Sequence, residues 1–340
     1  MNNSRSILVT GGAGFIGSHT VVSLFEAGYQ PVIVDNLSNS TSSVLAGIRQ
    51  LVGTDLPFYQ IDCTNRTAMA EVIDKHQPAG VIHFAAFKAV GESVAKPLAY
   101  YRNNLDSLIV LLDLMGEKGI SNLVFSSSCT VYGEPDALPV TEESAIKIAQ
   151  SPYGYTKQVG ERMIADAVQA QPNSHAILLR YFNPIGAHPS ALIGELPLGV
   201  PNNLVPYITQ TAAGLRSVLT VYGDDYHTPD GTCIRDYIHV LDLAEAHVAA
   251  IELLLAQKVD KTEVFNIGTG HGQSVMEVIR TFEQVNQVNL PFVIGPRRSG
   301  DVEQVWADAS KAEQVLGWKA KRSLSTALED AWRWQLHLQS

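Results

Sequence analysis

The first 35 residues place the tightest constraint on the fold. "SILVT" reads as a short apolar strand, "GGAGFIG" interrupts it with glycines, and "SHTVVSLFEAG" sets apolar residues at helical spacing before Gly28 acts as a stop signal. "PVIVD" follows at once as a second strand. The alternation repeats through strand "FYQID", a helix near 66–76, strand "GVIHFA", a helix near 97–118, strand "NLVFSSS", a helix from 152 and strand "HAILLRYF". Short strands that are apolar on both sides and alternate with helices predict a doubly wound α/β fold, with a parallel sheet covered on both faces.

After Phe182 the rhythm fails. "NPIGAHPSALIGELPLGVPNN" is rich in Gly and Pro and predicts a crossing into a second, smaller lobe. The expected division is a dinucleotide-binding domain over 1–182 and a mixed α/β substrate lobe over 183–340. A return to the first domain is expected at about 234–260, because "RDYIHVLDLAEAHVAAIELLL" is apolar enough to cover the sheet. A chain of 340 residues has room for both parts.

Composition removes other classes. With 46% hydrophobic and 17% charged residues the chain is globular and not disordered. A net charge of −10 and a pI near 5.4 exclude the basic face that nucleic acid requires. The "VIHFAAFKAV" run is short and carries Lys88, so no membrane span is expected, and the opening "MNNSRSILVTGG" lacks the apolar stretch of a signal peptide. Three scattered cysteines, Cys63, Cys129 and Cys233, suit a reducing cytoplasm and offer no metal-ligand cluster.

Gly11, Gly14 and Gly17 have GxxGxxG spacing between a strand and a helix. Such a loop lets the backbone approach a pyrophosphate while the helix presents unpaired N–H groups to its charge. Asp35 ends the next strand 18 residues after Gly17, where a carboxylate bonds ribose hydroxyls. Its charge repels a 2′-phosphate, which selects NAD over NADP on a Rossmann-like fold. Asp62, read as ending the third strand, is a candidate for the adenine amino group or for capping a helix.

"SPYGYTK" supplies the chemistry. With Pro152 in the first turn of a helix, Tyr153 and Lys157 lie four apart on one face and Tyr155 points elsewhere. A phenol with a pKa near 10 needs about 4 kcal/mol of help to ionise three units lower; an ammonium one turn away is expected to contribute much of it, and the positive nicotinamide ring of an oxidised cofactor favours the phenolate as well. Ser128, from "SSSCT" at the carboxyl edge of the fifth strand, is placed to pass a proton between substrate and Tyr153.

These residues, together with "GGAGFIGSH", "VDNLSNS", "HFAAFKAVGESV", "FSSSCTVYG", "LRYFNPIGAHPS", "PNNLVPYI", "DGTCIRDYIHVLDLA" and "RRSGDVEQVWADASKA", resemble the extended short-chain dehydrogenase/reductase family across nearly the whole chain. The resemblance is to its branch that inverts UDP-sugars at C4. It implies reversible, NAD-dependent epimerisation of UDP-galactose and UDP-glucose through a 4-keto intermediate, with Tyr153, Lys157 and Ser128 catalytic. It implies NAD held by the glycine loop with Phe15 and Ile16, by Asp35, Asn36, Asp62, Cys63, Phe84, Ala85, Ala86, Lys88 and Asn103, and by Tyr153, Lys157 and Tyr181. For the UDP-sugar it implies Asn183, Asn202, Asn203, Leu204, Tyr222, Arg235, Arg298 and Asp301, the arginines matching a diphosphate through their forked donors. It also implies a homodimer formed by pairing the helices at 97–118 and 152–170 into a four-helix bundle.

The rival within the family is a nucleotide-sugar 4,6-dehydratase, whose relatives carry Asp and Glu just after the hydroxyl. Here Cys129 and Thr130 stand there, and neither does acid–base work at neutral pH; the missing Glu also argues against a uronic-acid decarboxylase. A dinucleotide-sensing protein without chemistry has no use for Ser128, Tyr153 and Lys157 together. Finally, Val305 occupies a position that can be a bulky tyrosine in the family, against the sugar's C2 substituent. The smaller side chain predicts acceptance of UDP-GalNAc and UDP-GlcNAc as well.

Overall fold

The structure, a computed structural model, describes residues 5–298 and 301–339. Residues 1–4 of the opening run, and Ser299 and Gly300 of "RRSGD", lie outside the described residues. The central sheet is built from β1 (Ser6–Thr10), β2 (Gln30–Asp35), β3 (Phe58–Gln60), β4 (Gly80–His83), β5 (Asn122–Ser126) and β6 (His175–Tyr181). Between them lie α1 (Phe15–Glu26), α2 (Ser43–Val52), α3 (Arg66–His76), α4 (Val90–Ala95), α5 (Pro97–Tyr101), α6 (Ser107–Lys118) and α7 (Pro152–Ala170).

Beyond β6 the chain forms β7 (Asn183–Ile185), α8 (Leu204–Ala212), β8 (Leu219–Tyr222), β9 (Ile234–Arg235), β10 (Tyr237–His239) and α9 (Val240–Leu255). β11 (Thr262–Ile267), β12 (Gln273–Ser274), α10 (Val275–Asn286), β13 (Phe292–Gly295), β14 (Gln304–Val305) and α11 (Leu324–His337) complete it. Seven strands pair in parallel in the order β11-β6-β5-β4-β1-β2-β3. The chain reverses its winding between β1 and β4, and a doubly wound sheet opens its ligand crevice at such a point.

The strands are apolar on both sides because each side meets its own layer of helices. Ile7, Val9, Ile33, Ile82, Val124 and Ile177 pack with Val21, Leu24, Ile48, Leu243 and Ile251 of α1, α2 and α9. Their neighbours Leu8, Val32, Val81, Leu123 and Leu178 pack with Met69, Leu108, Leu111, Ile164 and Val168 of α3, α6 and α7. Burying one such side chain contributes about 1.5–3 kcal/mol, so the alternation commits the strand register. A separate cluster around Val205, Val221, Ile279, Phe282 and Leu328 joins α8, β8, α10 and α11.

Four details depart from the sequence reading. β3 stops at Gln60, so Asp62 lies beyond the strand. Its carboxylate accepts from the Thr64 N–H (2.9 Å), the Thr64 hydroxyl (2.6 Å) and Asn36 Nδ2 (3.0 Å), which turns the chain there. The helix near 97–118 is interrupted by a π-helical turn at Arg102–Asp106, a distortion often found at functional sites. Asn183–Ile185, inside the stretch read as a crossing into the second lobe, forms a strand that pairs with β10. β11, unmarked in the sequence reading, supplies the edge of the sheet beside β6.

Candidate active site

The glycine loop sits at the crevice. Gly11 has φ +70°, and a Cβ there would meet the Ala85 backbone nitrogen at 2.8 Å, so β1 and β4 approach closely only without a side chain. A Cβ on Gly17 would lie 2.2 Å from the Gly11 carbonyl oxygen. Gly14 is the N-cap of α1 and brings no side-chain cap, leaving the positive end of that helix to the crevice. Phe15, Ile16 and Gly17 form the first turn.

Asp35 closes the loop from the next strand. Its Oδ2 accepts from the Ala13 N–H (3.1 Å) and its Oδ1 from the Leu37 N–H (2.8 Å). Burial raises its pKa against those bonds. Asn36 joins Asp62 through the bond above, and Cys63 is buried beside them with its thiol pushed up to about 12 by burial. An uncapped helix end, glycines that bring backbones into contact and the Asp35 carboxylate held on the Ala13 N–H fit a dinucleotide.

Phe84, Ala85 and Ala86 leave β4 on the same edge, the Phe84 ring lying tilted against that of His247 with centroids 4.6 Å apart. Lys88 Nζ pairs with Glu195 Oε1 at 3.1 Å. The same oxygen accepts from Asn203 Nδ2 at 2.6 Å, so a cofactor candidate and a sugar-nucleotide candidate meet on one carboxylate that the sequence reading passed over. Asn103 lies in the π-helical turn and donates to Asn104 Oδ1 at 2.9 Å. Asn104, also missed, binds the Phe87 N–H (2.8 Å), the Phe87 carbonyl (3.0 Å) and the Thr156 hydroxyl (3.1 Å), tying the Lys88 loop to α7.

α7 starts where its sequence says it should. Ser151 caps it by accepting from the Gly154 N–H at 3.1 Å, and Pro152 follows in the first turn. Tyr153 and Lys157 are 8% and 4% exposed, whereas Tyr155 is 50% exposed, so one wall of the helix faces the sheet as the spacing predicts. Lys157 Nζ donates to the Ser126 carbonyl at 2.6 Å and lies 4.9 Å from the Phe125 ring and 5.9 Å from the Tyr153 ring. Tyr181 bonds the Ser126 hydroxyl from β6.

The electrostatics show what any stabilisation of the phenolate has to overcome. Burial drives the Tyr153 pKa upward, with Tyr181 adding to the rise and the facing Ser128 side chain opposing it. Burial also pulls Lys157 down to about 8, against the carboxylate of Glu161. Both groups share one dry site, and desolvation is the largest influence on each.

The remaining candidates lie beyond β6, in the stretch read as the second lobe. Arg298 Nε bonds Asp301 Oδ2 at 2.9 Å, with its guanidinium 5.1 Å from the Tyr222 ring centroid. Arg235, on β9, donates through Nη1 to the carbonyls of Ile234 (2.8 Å) and Glu303 (3.3 Å), and is paired in register with Val305 on β14. Val305 is buried with Val131, Tyr132, Val140, Phe182 and Ala307. Asn203 caps α8 without a side-chain bond to it, Asn202 and Leu204 flank it, and Asn183 opens β7. Among the described residues no group of His, Cys, Asp and Glu is arranged to hold a metal, and no helix is long and apolar enough to cross a membrane.

The chain matches the family model described as GDP-mannose 4,6 dehydratase over residues 8–331. It is 50% identical over 330 residues to the UDP-glucose 4-epimerase of Neisseria meningitidis serogroup B, with 97% of each chain covered. Among solved structures it resembles a UDP-glucose-4-epimerase from Stenotrophomonas maltophila with bound NAD and formylated UDP-arabinopyranose. The TM-score is 0.95 at 49% identity, over 98% of this chain and 99% of that one. A UDP-glucose 4-epimerase from Bifidobacterium longum in complex with NAD+ and UDP matches with a TM-score of 0.93 at 46% identity, over 98% of each chain. The position directly after Ser128 is Cys129. There burial holds the Cys129 thiol up at about 12, which leaves it no acid–base role at neutral pH. With half its residues identical across nearly its whole length, the chain belongs to the UDP-glucose 4-epimerase family of the extended short-chain dehydrogenases/reductases.

Proposed function

We propose that the chain interconverts UDP-galactose and UDP-glucose by inverting C4 of the sugar, with NAD retained as cofactor. The observation that carries the reading is the buried wall of Tyr153 and Lys157 on α7, set against Ser128 at the carboxyl edge beside the glycine loop. NAD, when bound, supplies a hydride acceptor and donor whose positive nicotinamide ring favours a nearby phenolate. Gly11, Gly14, Gly17, Phe15, Ile16, Asp35, Asn36, Asp62, Lys88 and Asn103 would hold it.

Tyr153 takes the proton of the 4′-hydroxyl as general base and later returns it, and Ser128 relays that proton. Lys157 holds Tyr153 in place and favours its ionised form once the site is filled. The 4-keto sugar must present its other face before C4 is reduced, so the nucleotide is gripped while the sugar turns. Anchors on UDP rather than on the sugar serve this, with Arg235 and Arg298 on the diphosphate and Asn183, Asn202, Asn203, Leu204, Tyr222 and Asp301 around it. In this division residues 1–182, with the return at 234–260, carry the cofactor and 183–340 carry the UDP-sugar.

The sugar range extends to UDP-GalNAc and UDP-GlcNAc, supported by the short side chain of Val305. Two copies pair through the outer face of α5, α6 and α7, supported by Leu98, Ile109 and Tyr155 at 68%, 44% and 50% exposure. Three unpaired cysteines support a cytoplasmic site of action. The test is incubation with NAD and, separately, UDP-galactose and UDP-N-acetylgalactosamine, with products resolved by proton NMR. The gluco epimer is the expected product of each, and a 4-keto-6-deoxy product would replace the reading with a dehydratase.

A further inference from the structure

Tyr153, Lys157 and Glu161 follow one another along α7 at intervals of four, and all three are buried. The strand facing them ends at Ser126 and runs on into Ser127 and Ser128, and each of these three serines is tied to one of the three. Lys157 donates to the Ser126 carbonyl, the Ser127 hydroxyl donates to Glu161 Oε1, and Ser128 faces the phenol of Tyr153. From β6, Arg180 grips Glu161 with both ends of its fork, Nε to Oε1 at 2.9 Å and Nη2 to Oε2 at 2.7 Å. Its Nη1 donates to the Tyr132 hydroxyl at 3.1 Å, and that hydroxyl donates to Asn266 Oδ1 at 2.6 Å.

A buried ion pair is poor evidence of stabilisation, because desolvation offsets the attraction and a well-packed apolar pair holds a helix as well. The charge here has another recipient. Glu161 is the anion that acts on Lys157 from its own helix. The groups facing the Lys157–Tyr153 wall from other elements are neutral or aromatic. They include His83 of β4, held down at about 3 by burial, Phe125 of β5, Tyr181 of β6, Cys129, Tyr100 and Ser128, while the one charged neighbour from β6, Arg180, is engaged by Glu161.

We infer that Glu161, clamped by Arg180, is a positioning residue of the epimerisation: it sets the register of α7 against Ser126–Ser128 and keeps Lys157 an ammonium, aiming both Ser128 and Lys157 at Tyr153. It acts through Ser127 and Lys157, without touching the sugar. The inference rests on the activity proposed above and deepens it.

Two variants test it, each assayed with NAD and UDP-galactose beside the unmodified protein. Ser127→Ala removes the tie to the strand and leaves the ion pair whole; its kcat falls about fivefold or more with KM within about twofold. Glu161→Gln combined with Arg180→Met removes both charges, so no orphan charge remains to unfold the site. Its kcat falls about tenfold, and the alkaline limb of its kcat–pH profile moves to lower pH, because Lys157 loses its proton earlier. A purely structural role for the pair would leave that limb in place once the variant folds, as read by a cooperative thermal melt. A folded double variant with an unmoved limb, or Ser127→Ala with full kcat, overturns the inference. Should the double variant not fold, the kcat of Ser127→Ala decides. An unmodified protein that does not convert UDP-galactose overturns the proposed activity instead, so the two failures are told apart.

Discussion

Lys157 donates its ammonium to the carbonyl of Ser126 at 2.6 Å, a bond that joins the middle of the catalytic helix to the last residue of β5. The lysine therefore does two jobs from one position: it pins α7 to the sheet, and it lies beside the Tyr153 ring at 5.9 Å. Buried as it is, it reaches an acceptor rather than water, which keeps the desolvated charge tolerable. The reactive wall is fixed by the fold before any ligand arrives.

Tyr153→Phe keeps this packing and removes the proton carrier. NAD affinity is expected to stay within about threefold while turnover falls by 10³ or more, since the general base is gone. Isothermal titration and a coupled assay of UDP-glucose formation check the two halves. Residual activity near that of the unmodified protein removes the role assigned to the phenol.

Gly17→Ala places a methyl 2.2 Å from a backbone oxygen that cannot swing away. The start of α1 must shift, and NAD binding is expected to weaken by about tenfold or more, equivalent to 1.4 kcal/mol. Unchanged affinity would separate the helix end from the cofactor.

Val305→Tyr is expected to remove conversion of UDP-N-acetylgalactosamine while sparing UDP-galactose to within about threefold. Proton NMR of parallel reactions reads the ratio. Equal loss of both substrates ends the argument that this side chain sets the sugar range.

The pH dependence of stability follows from three buried imidazoles. His19, His83 and His247 are pushed down by burial to about 3, 3 and 4 from 6.5. Their folded pKa values lie below the unfolded one, so the unfolded chain binds more protons in this window. Stability is full above pH 6.5 and is lost as pH falls toward 4, by about 1.4 kcal/mol per pH unit for each ring. His83→Asn is expected to reduce the slope of unfolding free energy between pH 6 and pH 5 by roughly one such ring. Urea titrations across that range measure it, and an unchanged slope removes His83 from the count.

Leu98→Asp is expected to separate the proposed dimer, because a carboxylate on a face that is 68% exposed in the single chain becomes buried on pairing. Sedimentation velocity distinguishes one chain from two, and the melt of the separated chain shows that the fold is kept.

The strand–glycine–helix opening, the alternating core, the helix start at Pro152 and the shared face of Tyr153 and Lys157 were all legible in the sequence. Each rests on contacts within a few residues or on a local period, and local spacing determines those. What the sequence did not show lies between distant segments. Glu195 meets Lys88 across 107 residues, and Arg180 meets Glu161 from the neighbouring strand. The π-helical turn that carries Asn103 and Asn104 has no spacing signal of its own. The burial of Tyr153 went the same way: spacing placed the phenol beside Lys157, and the packing that raises its pKa came from distant segments. Desolvation depends on everything packed around a group, so tertiary structure alone decided the charge state of the residues that the sequence alone had brought together.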